Sequence, residues 1–159
     1  PGGPSIEEAE KNGNPHACPF KLPLLEPRSL EFSFSGLKTA LLYRVKGPGG
    51  KRNEPDLPDA PPLADLCASY EHAIAQTLAE KCLRACDQEG IPRILVGGGV
   101  ARNRRLRVLL KEMAEAKGAQ AVFAAPEHCT DNAVMIAGLG NALFEGGKTV
   151  DLKADVAAS

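Results

Sequence analysis

Arg93-Ile94-Leu95-Val96-Gly97-Gly98-Gly99-Val100-Ala101-Arg102-Asn103 is the stretch whose reading decides the fold. Ile94, Leu95 and Val96 form a short apolar run, expected as a strand buried on both faces. Three glycines follow at once, and an amphipathic pattern begins a few residues later. Glycine lets a backbone turn sharply and lets another group come close. A strand that turns into a helix N-terminus offers free N–H groups and a partial positive charge, a seat for a phosphate or a nucleotide. A tight turn without any ligand is the other reading, because the stretch has neither the G-x-G-x-x-G spacing nor a Lys-Ser or Lys-Thr after its last glycine.

Working outward, Leu63, Leu66, Tyr70, Ile74, Leu78, Cys82, Leu83 and Cys86 recur at helical spacing and predict one apolar stripe on a helix from about Pro62 to Gln88, stopped by Gly90. His72 falls off that stripe and is expected in solvent. On the other side, Ala101 to Lys117 is helical, with Leu106, Leu109, Leu110 and Met113 facing inward. Gln120 to Ala124 is a second short strand ended by Pro126. Thr130 is a plausible N-cap for a last helix from about Asp131 to Phe144, whose Ala133, Ala137, Gly138 and Gly140 would let another backbone pack close. Strand, helix, strand, helix over this span is an α/β unit.

The first part of the chain reads differently. Ser5 to Lys11 predicts a short helix capped by Ser5, with Glu7 and Glu8 in its first turn. The following proline-rich segment reads as an extended strap whose Phe20, Leu22, Leu24 and Leu25 need a surface to pack on. Leu30 to Ser35 alternates apolar and polar residues, the period of a half-buried strand. Leu37, Leu41, Leu42 and Val45 then mark a helical face. Residues 46–62 are rich in Gly, Pro and charge without periodicity, and are expected as a mobile loop between two helices.

With 159 residues, 43% hydrophobic and 25% charged, the composition is that of one globular domain. A net charge of −1 and the absence of tryptophan argue against a protein that is basic all over or that stacks bases on an aromatic platform. No apolar run approaches the roughly 18–20 residues of a membrane span. Five cysteines without a C-x-x-C pair argue against a disulfide framework or a structural zinc, and fit a reducing cytoplasm. A start at Pro1-Gly2-Gly3-Pro4 without methionine reads as a processed, cleaved or cut piece. Methionine trimming is the other reading.

Few residues offer chemistry. Asp131 lies in Cys129-Thr130-Asp131-Asn132, expected at the first turn of a helix, where the ionised carboxylate is favoured. There it could bind a cation or a polar substrate, or simply complement the helix dipole. His16, His72 and His128 are scattered and make no H-x-x-x-H or H-E-x-x-H pattern, so no complete metal site is visible. No nucleophile elbow occurs. Ser35-Gly36-Leu37-Lys38-Thr39 lacks the spaced glycine of a phosphate loop, and Lys38 reads as solvated. Arg102, Arg104, Arg105, Arg107 and Lys111 could attract RNA phosphates, or form the wet face of a helix balanced by Glu112 and Glu115. No catalytic residue is assignable.

Four motifs in order carry a resemblance: Pro1-Gly-Gly-Pro4; Phe32-Ser-Phe-Ser-Gly-Leu-Lys-Thr39; Gly98-Gly-Val-Ala-Arg-Asn-Arg-Arg-Leu-Arg107; and Cys129-Thr-Asp-Asn132 with Met135-Ile-Ala137. Together they resemble the C-terminal half of the bacterial tRNA N6-adenosine threonylcarbamoyltransferases, a family long known as O-sialoglycoprotein endopeptidase. The resemblance runs over residues 1–147, with 148–159 as a tail. It implies a helix-rich α/β fold, part of an actin-like, sugar-kinase-type ATPase with a ribonuclease H-like C-terminal domain, the N-terminal domain missing. The implied activity is transfer of threonylcarbamoyl from its adenylate to N6 of the adenosine beside the tRNA anticodon.

Carried over by position, Gly3, Glu7, Gly98, Gly99 and Asn103 are nucleotide-binding residues and Asp131 is a metal ligand. Arg102 departs from the family, which commonly has a small residue there. The implied cofactors are an iron or zinc ion and the adenine nucleotide threonylcarbamoyl-adenylate. The implied partners are tRNA, a paralogous dimerisation partner and a small ATPase of the same pathway, in the cytoplasm and without a membrane. The family's metal-binding histidines, in an H-x-x-x-H motif, are not in this chain. The chain alone is therefore expected to be inactive and to bind nucleotide weakly. Two other classes stay open, a metal-dependent glycoprotein endopeptidase and a non-catalytic dimerisation module of the same fold.

Overall fold

The computed structural model describes residues 2–151. In chain order the elements are α1 (Gly2–Ala9), α2 (Ser35–Lys46), α3 (Leu63–Glu89), β1 (Arg93–Val96), α4 (Arg104–Ala116), β2 (Gln120–Phe123) and α5 (Ala133–Glu145), with short 3-10 turns at Gly99–Arg102 and Pro126–His128. β1 and β2 pair in parallel, Ile94 opposite Ala121 and Val96 opposite Phe123. The chain is thus a helix-rich α/β structure with a small parallel sheet, and α4 is the crossover between its strands.

α3 is the centre. Its residues face two cores at once. Ala75 and Ala79 join Leu106 and Leu110 of α4, and Ile94, Val96, Ala121 and Phe123 of the sheet pack against them. Tyr70 and Ala73 join Leu37 of α2, with Ile6, Phe20, Leu22 and Phe34 around them. Burial therefore runs all round the helix, through Leu66, Ala68, Tyr70, Ala73, Ala75, Ala79 and Leu83, and includes the polar Ser69, Glu71, Thr77 and Lys81. The single stripe expected from periodicity is too narrow. Small alanines between the larger residues let a second layer approach the helix's other side, while Leu63, on the expected stripe, is 67% exposed.

The second layer is the strap. At Gly13 a Cβ would lie 2.0 Å from the carbonyl oxygen of Ala64, so only glycine allows the chain to meet α3 there. The Asn14 N–H donates to Asp65 Oδ1 at 2.7 Å, and the Cys18 N–H donates to Ser69 Oγ at 3.0 Å. Further along, Lys81 Nζ donates to the Ser29 carbonyl at 2.6 Å. Arg84 donates to the carbonyls of Leu24, Glu26 and Ser29, and Gln88 to that of Arg28. A strap without regular structure leaves its carbonyls unpaired, and polar side chains of α3 supply the donors. Of the strap's apolar residues, Phe20 and Leu22 pack on Tyr70 and Ala73 of α3 together with Leu37 of α2, while Leu25 stays 50% exposed.

Several expectations are corrected. α1 starts at Gly2, ahead of the predicted Ser5 cap. Leu30–Phe34 has the alternation of a strand but finds no strand to pair with among the described residues, and its Phe32 and Phe34 rings stack on each other 6.2 Å apart. β1 is half-buried on one face only, because α3 and α4 cover the side of Ile94 and Val96 while Leu95 is 77% exposed. The last helix is capped by Asn132, whose Oδ1 accepts the Met135 N–H at 3.1 Å, so Asp131 precedes the helix and does not sit in its first turn. No other atom comes within 4 Å of a Cβ built on Gly138 or Gly140, so no backbone packs close there among the described residues.

Residues 47–62 carry no regular element, yet they fold back on α2 through Leu57 N–H to Val45 O at 2.8 Å and Lys46 Nζ to Asp56 at 2.5 Å. The expected tail at 148–159 begins without regular structure, and from 152 onward it lies outside the described residues. Among the described residues no helix is long and apolar enough to cross a membrane.

Candidate nucleotide-binding cleft

Between α1, α3 and the start of α4 lies an open cleft of about 760 Å³, within the size range of small-molecule sites. Gly3, Pro4, Ile6 and Glu7 of α1 form one wall. Glu71, Ile74, Ala75 and Leu78 of α3 form the floor, and Gly99, Val100, Arg102, Asn103, Arg104 and Leu106 the opposite wall. Pro126 and Thr130 close one end. The lining is mainly apolar, with polar groups concentrated at Glu7, Glu71, Asn103 and the two arginines.

The glycine stretch builds its wall by local necessity. Gly98 has φ +85°, a backbone that a side chain would strain, and it turns β1 into the 3-10 turn Gly99–Arg102. The helix then starts one turn later than expected, at Arg104, with Asn103 as its N-cap. Asn103 Oδ1 accepts the Leu106 N–H at 2.8 Å, and its Nδ2 donates to Glu71 Oε1 at 2.5 Å.

Four of the residues named from the sequence, Gly3, Glu7, Gly99 and Asn103, line this one cleft although up to 100 positions separate them. Gly98, next to Gly99 in the chain, is not among the lining residues. Asp131 follows Thr130 at the cleft's end and is exposed. Among the described residues no group of three or more His, Cys, Asp or Glu could hold a metal ion. Asp131, a single exposed carboxylate, does not by itself complete a metal site among the described residues. The Phe32–Thr39 motif leads into α2, which begins at its Ser35, and contributes nothing to the cleft lining.

The basic cluster of α4 divides in two. Arg105, expected on the wet face, pairs with Glu10 and, at 3.1 Å, with Glu71. Arg107 also turns inward. It donates to the carbonyls of Ala101 at 2.5 Å and Ala124 at 2.7 Å, lies 4.9 Å over the Phe123 ring, and reaches the buried Cys129 sulfur at 3.6 Å. Arg107 thereby ties the glycine turn to the loop that carries Thr130 and Asp131. Arg102, Arg104 and Lys111 remain exposed.

The sequence does not mark Glu71 or Glu10 as site residues, and it offers Arg105 only as part of a basic cluster for RNA phosphates or a wet helix face. The signal was there in part: an acid amid the alanines of a helix rich in apolar positions needs a partner when buried. Burial pushes the Glu71 carboxyl above its usual range, Glu10 adds to that push, and Asn103 and Arg105 oppose it. Burial works against the charge of Arg105, but its hydrogen bonds to Glu10 and Glu71 outweigh that and hold the guanidinium above its usual range. His72 is also misplaced by periodicity. It is half-buried, edge-on to His16 at 5.0 Å, because the strap covers that side of α3. Burial, followed by His16 and Arg105, lowers its pKa.

Residues 1–138 match the family model described as TsaD, tRNA N6-adenosine threonylcarbamoyltransferase. The chain belongs to that family. Proteins named tRNA N6-adenosine threonylcarbamoyltransferase from Trichlorobacter lovleyi, Anaeromyxobacter sp. and Geobacter sulfurreducens are 40%, 44% and 42% identical to it. These matches cover 100%, 99% and 98% of this chain but only 45%, 46% and 44% of the relatives. The chain therefore spans about half the length of the curated relatives it matches. The endopeptidase and the non-catalytic module find no support in these names.

Proposed function

We propose that the cleft seats the adenosine part of a nucleotide in a transferase that moves threonylcarbamoyl from threonylcarbamoyl-adenylate to N6 of an adenosine in tRNA. The observation that carries the reading is the meeting of Gly3 and Glu7 from α1 with Gly99 and Asn103 before α4 around one apolar floor. Ile6, Ile74, Leu78 and Leu106 suit the faces of a purine, and Asn103 has hydrogen-bonding capacity left for its edge.

In the reaction the N6 amine attacks the carbamoyl carbon, the bond to the adenylate phosphate oxygen breaks, adenylate leaves, and the amine loses one proton. This chain's part is to bind and orient the adenylate. Glu7 faces the cleft as an acceptor for a sugar hydroxyl, and Gly98 and Gly99 keep the turn free of side chains beside the ligand. Asp131 would supply one carboxylate to a divalent iron or zinc ion whose other ligands lie outside this chain. The larger assembly would be an actin-like ATPase fold in the cytoplasm, working with tRNA, a paralogous dimer partner and a small ATPase.

Saturation-transfer NMR with adenosine monophosphate and guanosine monophosphate tests the reading. Saturation of the adenine protons is expected with the wild-type chain, much less on guanine, and a several-fold loss in Asn103→Ala. Equal saturation of both bases, or none on adenine, would overturn it.

A further inference from the structure

Asn103 is held at both ends of its amide. Its Oδ1 accepts the Leu106 N–H at 2.8 Å while its Nδ2 donates to Glu71 Oε1 at 2.5 Å. Rotating the amide by half a turn would set its NH2 against the Leu106 N–H and its oxygen against a carboxylate. One orientation satisfies both partners and the other satisfies neither. An asparagine has two N–H donors and two lone pairs, so one of each remains for a ligand, and the fixed amide sets which end donates and which accepts.

Glu71 is itself held. It is 7% exposed, and its other oxygen accepts from Arg105 Nε at 3.1 Å. The same guanidinium pairs with Glu10, the residue directly after α1. Glu10, Arg105, Glu71 and Asn103 therefore form one chain of hydrogen bonds joining the three helices that wall the cleft. The mainly apolar surroundings strengthen it, because water competes poorly for these groups.

We propose that Glu71 is a positioning residue: held by Arg105 and Glu10, it locks the Asn103 amide so that the ligand always meets the same donor and acceptor. The role rests on the cleft being the nucleotide site, but the lock is a property of the free protein and can be read without ligand. Hydrogen exchange of the Asn103 side-chain NH2, followed by 15N NMR, is the readout. In the wild-type chain one of its two hydrogens is protected. Glu71→Met, which keeps bulk but removes the acceptor, should abolish the protection. Glu71→Gln, which keeps an acceptor oxygen, should restore most of it. Arg105→Met should give a smaller loss in the same direction, and it carries the test if Glu71→Met does not fold. Unchanged protection in Glu71→Met, or in Arg105→Met if that variant has to stand in, would overturn the proposal.

Affinity for adenosine monophosphate gives the second arm. Glu71→Met should weaken binding about fivefold, roughly the worth of one hydrogen bond, and should have no further effect in an Asn103→Ala background. A full effect in that background would mean that Glu71 meets the ligand itself, and the positioning role would be wrong. Protection in the wild type without nucleotide binding would overturn the reading of the cleft alone and leave the lock standing.

Discussion

α3 and α5 invert the usual expectation. α5, AVMIAGLGNALFE, has one charged residue, yet none of its residues is buried, and Val134, Ile136 and Phe144 are each at least 70% exposed. α3 carries Asp, Glu, Lys, Arg and His along its length and is buried on every side. A helix's own hydrophobicity therefore does not decide its burial. What decides it is whether the rest of the chain can wrap it and satisfy what is wrapped. The strap does so for α3 by offering carbonyls to Lys81 and Arg84 and an N–H to Ser69. Among the described residues nothing does so for α5.

The comparison breaks first at its strongest point. Leu83 is 1% exposed, and Leu83→Ala should cost about 2–5 kcal/mol of stability. The matching truncation in α5, Ile136→Ala at 72% exposure, should stay within about 0.5 kcal/mol. Urea unfolding of the two variants checks both. Similar costs would mean that α5 is buried in solution.

A smaller effect separates wrapping from simple packing. Arg84→Ala removes three hydrogen bonds to strap carbonyls and should cost about 1–3 kcal/mol. Limited proteolysis should then cut first within residues 22–30. A stability loss with the strap still resistant would assign the role of Arg84 to packing of its stem.

The smallest effect comes from His72. Its folded pKa lies below the ordinary 6.5, so below that pH the unfolded chain takes up the proton more readily. Its contribution is full above about pH 6.5 and declines as pH falls through that value. Glu71 runs the other way, since its raised pKa makes stability decline as pH rises above the ordinary 4.5. The difference between wild type and His72→Gln isolates the histidine. The gain in urea midpoint from about pH 5.5 to about pH 7.5 should be smaller in the variant than in the wild type. An unchanged gap would place His72 in solvent.

The same contrast explains what the sequence could show. The extents of α3 and of both strands were legible, because local periodicity and glycine punctuation set them. The meeting of Gly3, Glu7, Gly99 and Asn103 was expected only through the resemblance, since no local pattern joins positions so far apart. Features set by long-range wrapping were illegible. Strap coverage of α3 hides His72 and turns a one-sided helix into an all-round one, and Arg105 turns inward because Glu10, after α1, and Glu71 of α3 meet it from distant parts of the chain. Leu30–Phe34 kept the period of a strand, but pairing needs a partner strand that periodicity cannot supply. Asn132, and not Thr130, caps α5, a distinction of two residues between two good capping types.

The central claim is that α1, α3 and α4 together make a nucleotide cleft. A 15N-labelled chain titrated with adenosine monophosphate tests it residue by residue. Weak, saturable shifts are predicted at the backbone amides of Gly3, Glu7, Gly99 and Asn103, with none in α5 or residues 47–62. Shifts confined to α5 or to that loop, or no shifts at all, would contradict it.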